Sequence, residues 1–215
     1  MRYPEPASVG SLFLPKLLGT YERELQPLVE ALCGRQYSEV VDVGCAEGYY
    51  AVGMALRIPT AKVFAFDINA EALRLCESMA RLNGVSDRLV AGSFCDPAAL
   101  KSLPLTRRAL IICDCEGYET TLLCDDVVPL LVNHDLLIEV HDCIDPAISS
   151  ILRQRFSNTH RVMAVQSVGD ETMALTYGYE EILGYDLETR KMILAEGRWG
   201  VMEWFYLTPR SSARL

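Results

Sequence analysis

Five short apolar runs, spaced by segments long enough to be helices, constrain this chain more than any other feature. The runs are residues 40–43, 63–66, 89–91, 110–113 and 136–140. Each is continuous and often β-branched, as a strand buried on both faces must be. Between the first pair, residues 49–57 carry helical periodicity and stop before Pro59. Between the second pair, residues 69–83 read as an amphipathic helix. Asn69 caps it, Ala72, Leu73, Cys76, Met79 and Ala80 form its apolar face, and Gly84 stops it. Strand–helix alternation of this kind implies a parallel sheet with helices on both faces. Residues 161–168 and 202–207 read as two closing strands, which makes seven. The stretch between them, 169–201, is too long for a hairpin turn; partly helical around 187–196, it reads as an insertion or lid before the last strand. Residues 1–36 read as an N-terminal helical extension, with Thr20 as a cap and Glu22 and Glu24 in the first turn. No repeat or linker divides the 215 residues, so a single domain is expected.

Charge narrows the function classes. The net charge is −9, and nucleic-acid affinity rests on Lys and Arg neutralising phosphates, so a nucleic-acid partner is not expected. The densest basic pair, Arg107-Arg108, reads as a solvated loop. The eight cysteines show no CxxC pair and most lie in apolar runs, which reads as reduced, buried thiols in a cytosolic protein. The Cys113/Cys115 spacing lacks the second pair that a zinc site would need. No charged leader precedes a long apolar core at the N-terminus, and no apolar run approaches the ~20 residues of a membrane span. A cytoplasmic protein with no membrane partner is expected.

The first strand ends in Asp42-Val43-Gly44-Cys45-Ala46-Glu47-Gly48. Gly44 lets the chain turn and lets backbone approach a ligand, and Gly48 lets the next helix start tight against the strand. Asp67 ends the second strand, 23 residues after Gly44, where a carboxylate can accept both hydroxyls of a ribose. A nicotinamide dinucleotide needs GxGxxG with its pyrophosphate on the helix N-terminus. Here Ala46 breaks that pattern and Glu47 sets an anion where the pyrophosphate would lie. The cationic sulfonium and amino group of S-adenosylmethionine tolerate that anion. The alternative without a ligand is a plain tight turn.

The segment Val41 to Tyr50 resembles the first motif of class I methyltransferases, specifically of the FkbM-like family, and Phe64-Ala65-Phe66-Asp67 is similar to the second motif. The resemblance covers roughly residues 39–142. It implies a Rossmann-like α/β fold, a seven-stranded, mostly parallel sheet with helices on both faces and the last strand antiparallel. It also implies that Asp42, Gly44, Cys45, Ala46, Glu47 and Gly48 hold the methionine end of S-adenosylmethionine. Asp67 would hold the ribose, Ile68 one face of the adenine, and Ser93, Phe94 and Cys95 would flank it; for Phe94 and Cys95 a core role stays open.

Chemistry is expected at Asp114-Cys115-Glu116-Gly117-Tyr118-Glu119, where an apolar strand delivers carboxylates to the ligand-binding edge of the sheet. Asp114 would face the cofactor. The cluster Glu139-Val140-His141-Asp142 ends the next strand and should face the same crevice. Methyl transfer to oxygen needs a base for the hydroxyl proton or a divalent ion that lowers its pKa. The bland alternative has Glu116 and Glu119 serving only the dipole of the following helix. The segment is similar to the Asp-x-Glu-Gly-x-Glu element of FkbM-like enzymes, and Ile138-Glu139-Val140-His141 resembles their next strand. It also resembles an element of magnesium-dependent sugar O-methyltransferases. That second resemblance implies Asp114, His141 and Asp142 as Mg²⁺ ligands, with Glu116 the general base and His141 a ligand or base. Glu116 and His141 stand where that family has Asp, and imidazole is an uncommon partner for Mg²⁺.

Among the remaining residues, Tyr21 and Glu22 either close over the crevice or lie on a plain surface helix. His134 and His160 read as structural. Tyr177, Tyr179, Tyr185, Trp199 and Trp204 read as core, a homodimer seam or an acceptor pocket. The first expectation is O-methylation of a small molecule such as a sugar or natural product. The alternatives are N-methylation of a protein or nucleic acid, and a non-catalytic cofactor-binding module.

Overall fold

The computed structural model describes residues 1–4, 8–198 and 200–210; Trp199 lies outside them. The strands are β1 (Glu39–Val43), β2 (Lys62–Phe66), β3 (Leu89–Gly92), β4 (Leu110–Cys113), β5 (Asp135–Val140), β6 (His160–Gln166) and β7 (Glu203–Pro209). They form one seven-stranded sheet in the order β3-β2-β1-β4-β5-β7-β6. Pairing is parallel from β3 through β5, and β7 runs antiparallel to both β5 and β6. This is the fold class that the sequence predicts.

The helices are α1 (Phe13–Leu18), α2 (Gln26–Cys33), α3 (Tyr49–Arg57), α4 (Ala70–Leu82), α5 (Pro97–Ser102), α6 (Glu119–Leu122), α7 (Val128–Leu131), α8 (Ile148–Phe156), α9 (Asp170–Thr176) and α10 (Leu187–Leu194). Asn69 caps α4, its side chain accepting from the Glu71 and Ala72 N–H groups. Leu73 is only half-buried, and Leu75 takes its place on the core face. Thr20 does not cap a helix. Its hydroxyl donates to the Pro15 carbonyl at the end of α1, and a 3₁₀ turn, Arg23–Leu25, follows.

Strand period 2 divides the core into two layers. Val40, Val63, Leu110, Ile112, Leu137 and Trp204 pack with α3 and α4. Val41, Ile111, Ile138 and Phe205 pack with α8 on the opposite face. The stretch 169–201 folds as α9, a 3₁₀ turn (Glu180–Ile182) and α10, around its own small core of Met173, Tyr177, Ile182 and Leu194.

At the N-terminal end of β5, Asp135 is fully buried and meets Arg35 Nη1 at 2.8 Å and Arg108 Nη2 at 2.6 Å. Arg108 is thus an ion-pair partner and not the solvated loop residue expected. His134 and His160 serve the backbone here: Ala109 N–H donates to His134 Nδ1, and His160 Nε2 lies 3.1 Å from the His134 carbonyl.

Candidate active site

Strand order reverses between β1 and β4, and in open α/β sheets a ligand crevice opens at the carboxyl ends of such strands. The two strand ends touch. A Cβ on Gly44, whose φ is +84°, would lie 1.5 Å from the Asp114 carbonyl oxygen, so only glycine fits. Beside them lies a cavity of about 480 Å³, in the ordinary range for a small-molecule site. Its wall includes Asp42, Gly44, Cys45, Ala46, Asp67, Ile68, Ser93, Phe94, Cys95 and Asp114, together with Tyr118 and the N-terminal residues Val9, Gly10, Ser11, Lys16 and Tyr21.

Asp67 holds the turn: its Oδ2 accepts from Ala46 N–H and its Oδ1 from Asn69 N–H, both at 2.8 Å. Ala46 sits at φ +47°, a conformation that non-glycine residues adopt at a cost. Ile68 and Phe94 are exposed, and the Phe94 ring lies 5.5 Å from that of Tyr118, so an apolar cleft stands open beside Asp67. Cys45 and Cys95 line the cavity with one side and are otherwise core residues. Asp42 is buried, and its Oδ2 has no hydrogen-bond partner. Burial, with repulsion from Asp114, pushes its pKa up to about 8.

Two residues expected at the cofactor, Glu47 and Gly48, are not among the residues that line this cavity. Glu47 is buried in an ion pair with Lys16 and also accepts from Ser8 Oγ and Val9 N–H. Its charge anchors the N-terminal segment across the crevice. Gly48 lies against α4, where a Cβ would meet Cys76 Sγ at 2.8 Å, so its role is helix packing. No local pattern marks Lys16, whose partner is 31 residues away.

A second cavity of about 470 Å³ adjoins the first and shares Gly10, Ser11, Tyr21, Asp114 and Glu116 with it. Glu22, Glu139, His141, Glu196 and Arg198 also line it. Pairing of Cys113 with Ile138 sets the next residues, Asp114 and Glu139, side by side. Strand period then carries Glu139 and His141 to the same face. His141 Nδ1 lies 2.7 Å from Oε1 of the buried Glu119, and Gly117 N–H also donates to that oxygen. The opposite ring nitrogen, Nε2, faces Asp114 Oδ1 at 3.6 Å, Glu116 Oε2 at 3.5 Å and Glu139 Oε2 at 4.0 Å. Glu119 is therefore more than a dipole partner for α6. Glu116 stands at φ +52° with its side chain exposed at the rim.

The charges here are poorly compensated. Burial, then the charges of Asp114 and Glu22, push the Glu139 pKa up to about 11. Burial also raises Asp114. For His141, burial acts downward but is outweighed by the Glu119 hydrogen bond and the surrounding carboxylates, so its pKa is raised. Arg198 is the nearby guanidinium, and it is engaged by Glu196 at 2.7 Å and Glu24 at 3.2 Å. Neither Glu196 nor Arg198 was expected at the site. They arrive from the far end of the 169–201 stretch, and no local motif marks them.

The expected metal ligands are only partly brought together. Among the described residues, Asp114, Glu139 and His141 offer donor atoms all within 4.8 Å of one another. Asp142 is not among them; the pleat turns it away, and its Oδ1 accepts from Ser149 N–H in α8. Two carboxylates and an imidazole fit a divalent cation, though imidazole suits Mg²⁺ poorly.

Comparison with known proteins agrees with this geometry. Residues 36–131 match the model of a methyltransferase domain family. The chain is 36% identical over 90 residues to a ribosomal protein L11 methyltransferase of Shewanella pealeana, across 40% of this chain and 30% of that protein. The chain thus spans less than a third of the curated relatives' length. A precorrin-6y C5,15-methyltransferase of Geobacter metallireducens superposes with TM-score 0.57 at 14% identity, covering 86% of this chain and 87% of that one. An S-adenosylmethionine-dependent methyltransferase of Geobacter sulfurreducens, solved with S-adenosyl-L-homocysteine, superposes with TM-score 0.53 at 14% identity, covering 88% and 91%. Residues 36–131 are thus similar to a methyltransferase domain, and the fold is the one seen in these solved methyltransferases.

Proposed function

We propose that this protein transfers the methyl group of S-adenosylmethionine to a hydroxyl of a small molecule. The observation that carries the reading is the joining of the two cavities at Asp114, with an oriented imidazole beside the junction. The first cavity fits the donor. Its orphaned Asp42 oxygen suits the methionine ammonium, Asp67 the ribose, and the Ile68–Phe94–Tyr118 cleft the adenine. The donor supplies an electrophilic methyl on a sulfonium. Everything else falls to the chain: Asp114, Tyr21 and Gly10 stand between the cavities and position the acceptor for in-line attack, which proximity alone accelerates strongly.

The proton of the attacking hydroxyl has two nearby acceptors. With Nδ1–H donated to Glu119, His141 presents a lone pair at Nε2, and the raised pKa makes it a stronger base. Glu116, exposed at the rim, is the alternative. The Mg²⁺ implied by the sugar O-methyltransferase resemblance would rest on Asp114 and His141, with Glu139 in place of Asp142.

Calorimetry with S-adenosylmethionine and S-adenosylhomocysteine tests the donor half. Transfer of a labelled methyl group to a panel of hydroxylated small molecules tests the acceptor half. Absence of donor binding, or transfer only to amines, would sink the reading. A second reading, N-methylation, is favoured by one observation: the acceptor chamber carries more carboxylates than cations and would accept an amine-bearing molecule.

A further inference from the structure

We propose that Asp114, Glu139 and His141 bind a divalent first-row transition-metal ion at the junction of the two cavities. The site is a property of these side chains; only its use in catalysis rests on the function proposed above.

Three independent features carry it. First, the spacing is near that of a coordination shell. Donors ~2.1 Å from an ion, at angles between octahedral and tetrahedral, lie ~3.0–3.4 Å apart, and His141 Nε2 stands 3.6 Å from Asp114 Oδ1 and 4.0 Å from Glu139 Oε2. All three donor atoms lie within 4.8 Å of one another, so side-chain adjustment without backbone movement would bring them onto one ion. Second, the imidazole is already held as a ligand. Its side chain is 4% exposed, Nδ1 is held by Glu119, and Nε2 makes no hydrogen bond among the described residues while pointing at three carboxylates. A carboxylate behind a histidine fixes the tautomer and ring direction of metal-bound imidazoles. Third, Asp114 Oδ1 is buried without a hydrogen-bond partner. Such an atom costs free energy unless something absent from the chain meets it.

Electrostatics agree. Asp114 and Glu139 lie side by side, and Arg198, 4.0 Å from Glu139, is already engaged by Glu196 and Glu24. A dication would add to the partial compensation that Arg198 and His141 give these carboxyls. The donor set also selects the ion. Imidazole with two carboxylates favours borderline first-row ions over Mg²⁺, which prefers oxygen ligands and retains its waters. With Nε2 on the ion, its lone pair no longer takes the proton, so the role of base falls to Glu116, at the rim 3.5 Å from Nε2.

Mn²⁺ titrated into the purified protein, without donor or acceptor, tests the site by electron paramagnetic resonance and calorimetry. One ion per chain is expected, with binding weakened at least tenfold in His141→Gln, Glu139→Gln and Glu119→Gln. Glu188→Gln, exposed on α10 and away from the site, serves as a folded control, and circular dichroism verifies each variant. A tenfold excess of Mg²⁺ should leave the bound Mn²⁺ signal in place. Equal Mn²⁺ affinity in wild type and Glu139→Gln would overturn the site, as would full competition by Mg²⁺. Because no substrate is present, failure here leaves the methyl-transfer reading standing. An inactive protein that binds Mn²⁺ would instead count against that reading alone.

Discussion

The two ends of β5 bury carboxylates in opposite ways. At the N-terminal end, Asp135 is fully buried and surrounded by partners: Arg35, Arg108 and Tyr37, with Tyr206 at 3.3 Å. Burial alone would raise its pKa, but these hydrogen bonds and charges together hold it below the ordinary carboxylate value. At the C-terminal end, Glu139 sits beside Asp114 and beneath an already engaged arginine, and its pKa rises to about 11. A buried carboxylate whose hydrogen bonds and charges close on themselves stabilises a fold. One left uncompensated at the mouth of a crevice waits for something the chain does not supply.

Substitutions at the two ends should separate stability from function. The largest effect is expected for Asp135→Ala, which strands buried Tyr37 and two guanidiniums. A loss of about 3 kcal/mol is expected, at the low end for a broken buried pair because both arginines are more than a third exposed. Urea unfolding measures it, and the donor affinity of the folded fraction should not change. Glu139→Gln should do the reverse. Methyl transfer should fall by about tenfold or more, because Glu139 helps hold the ion proposed above, with stability unchanged, since Gln matches the neutral carboxyl that a pKa of about 11 leaves at neutral pH. A Glu139→Gln protein that unfolds as readily as Asp135→Ala would erase the contrast.

Smaller effects follow. Asp67→Ala should weaken donor binding by about tenfold, ~1.4 kcal/mol, because it removes both a ribose acceptor and the brace on Ala46; calorimetry reads the change. Compensated and uncompensated buried carboxyls, Asp135 and Asp42 of β1, should also slope oppositely with pH. Asp135 has a depressed pKa, so its contribution is complete above the ordinary carboxylate range and is lost as pH falls through its own value. Asp42, raised to about 8 by burial and Asp114, binds its proton more tightly when folded. Stability from that group is therefore present below the ordinary range, ~3.9, and is lost as pH climbs toward 8. Melting temperatures across pH 3–9 should lose their acid limb in Asp135→Asn and flatten between pH 5 and 8 in Asp42→Asn. Unchanged profiles in both variants would contradict the assignment.

Much of the fold was legible because its signals are local. A run such as Leu110–Cys113 is apolar on both faces and brief, and α4 carries its own cap and stop. The glycine turn was equally readable, since Gly44 needs a positive φ that its neighbours in sequence already suggest. The carboxylate and imidazole cluster was half-legible: Asp114 and His141 stand out in the sequence, whereas Asp142 turns to α8 and Glu139 takes the place expected of it. Strand period by itself places Glu139 with His141, because residues two apart share a face.

The amino-acid sequence by itself determined the strand–turn–helix order, the parallel sheet and the placing of carboxylates at strand ends, because hydrophobic period and turn chemistry act over a few residues. Only the tertiary structure decided which charges meet. Glu47 turned to Lys16, Asp142 to α8, and Glu139 to His141 and Arg198. The pairings with Lys16 and Arg198 cross tens of residues of chain, and Coulomb energies are decided by final distances and burial, which no local pattern encodes.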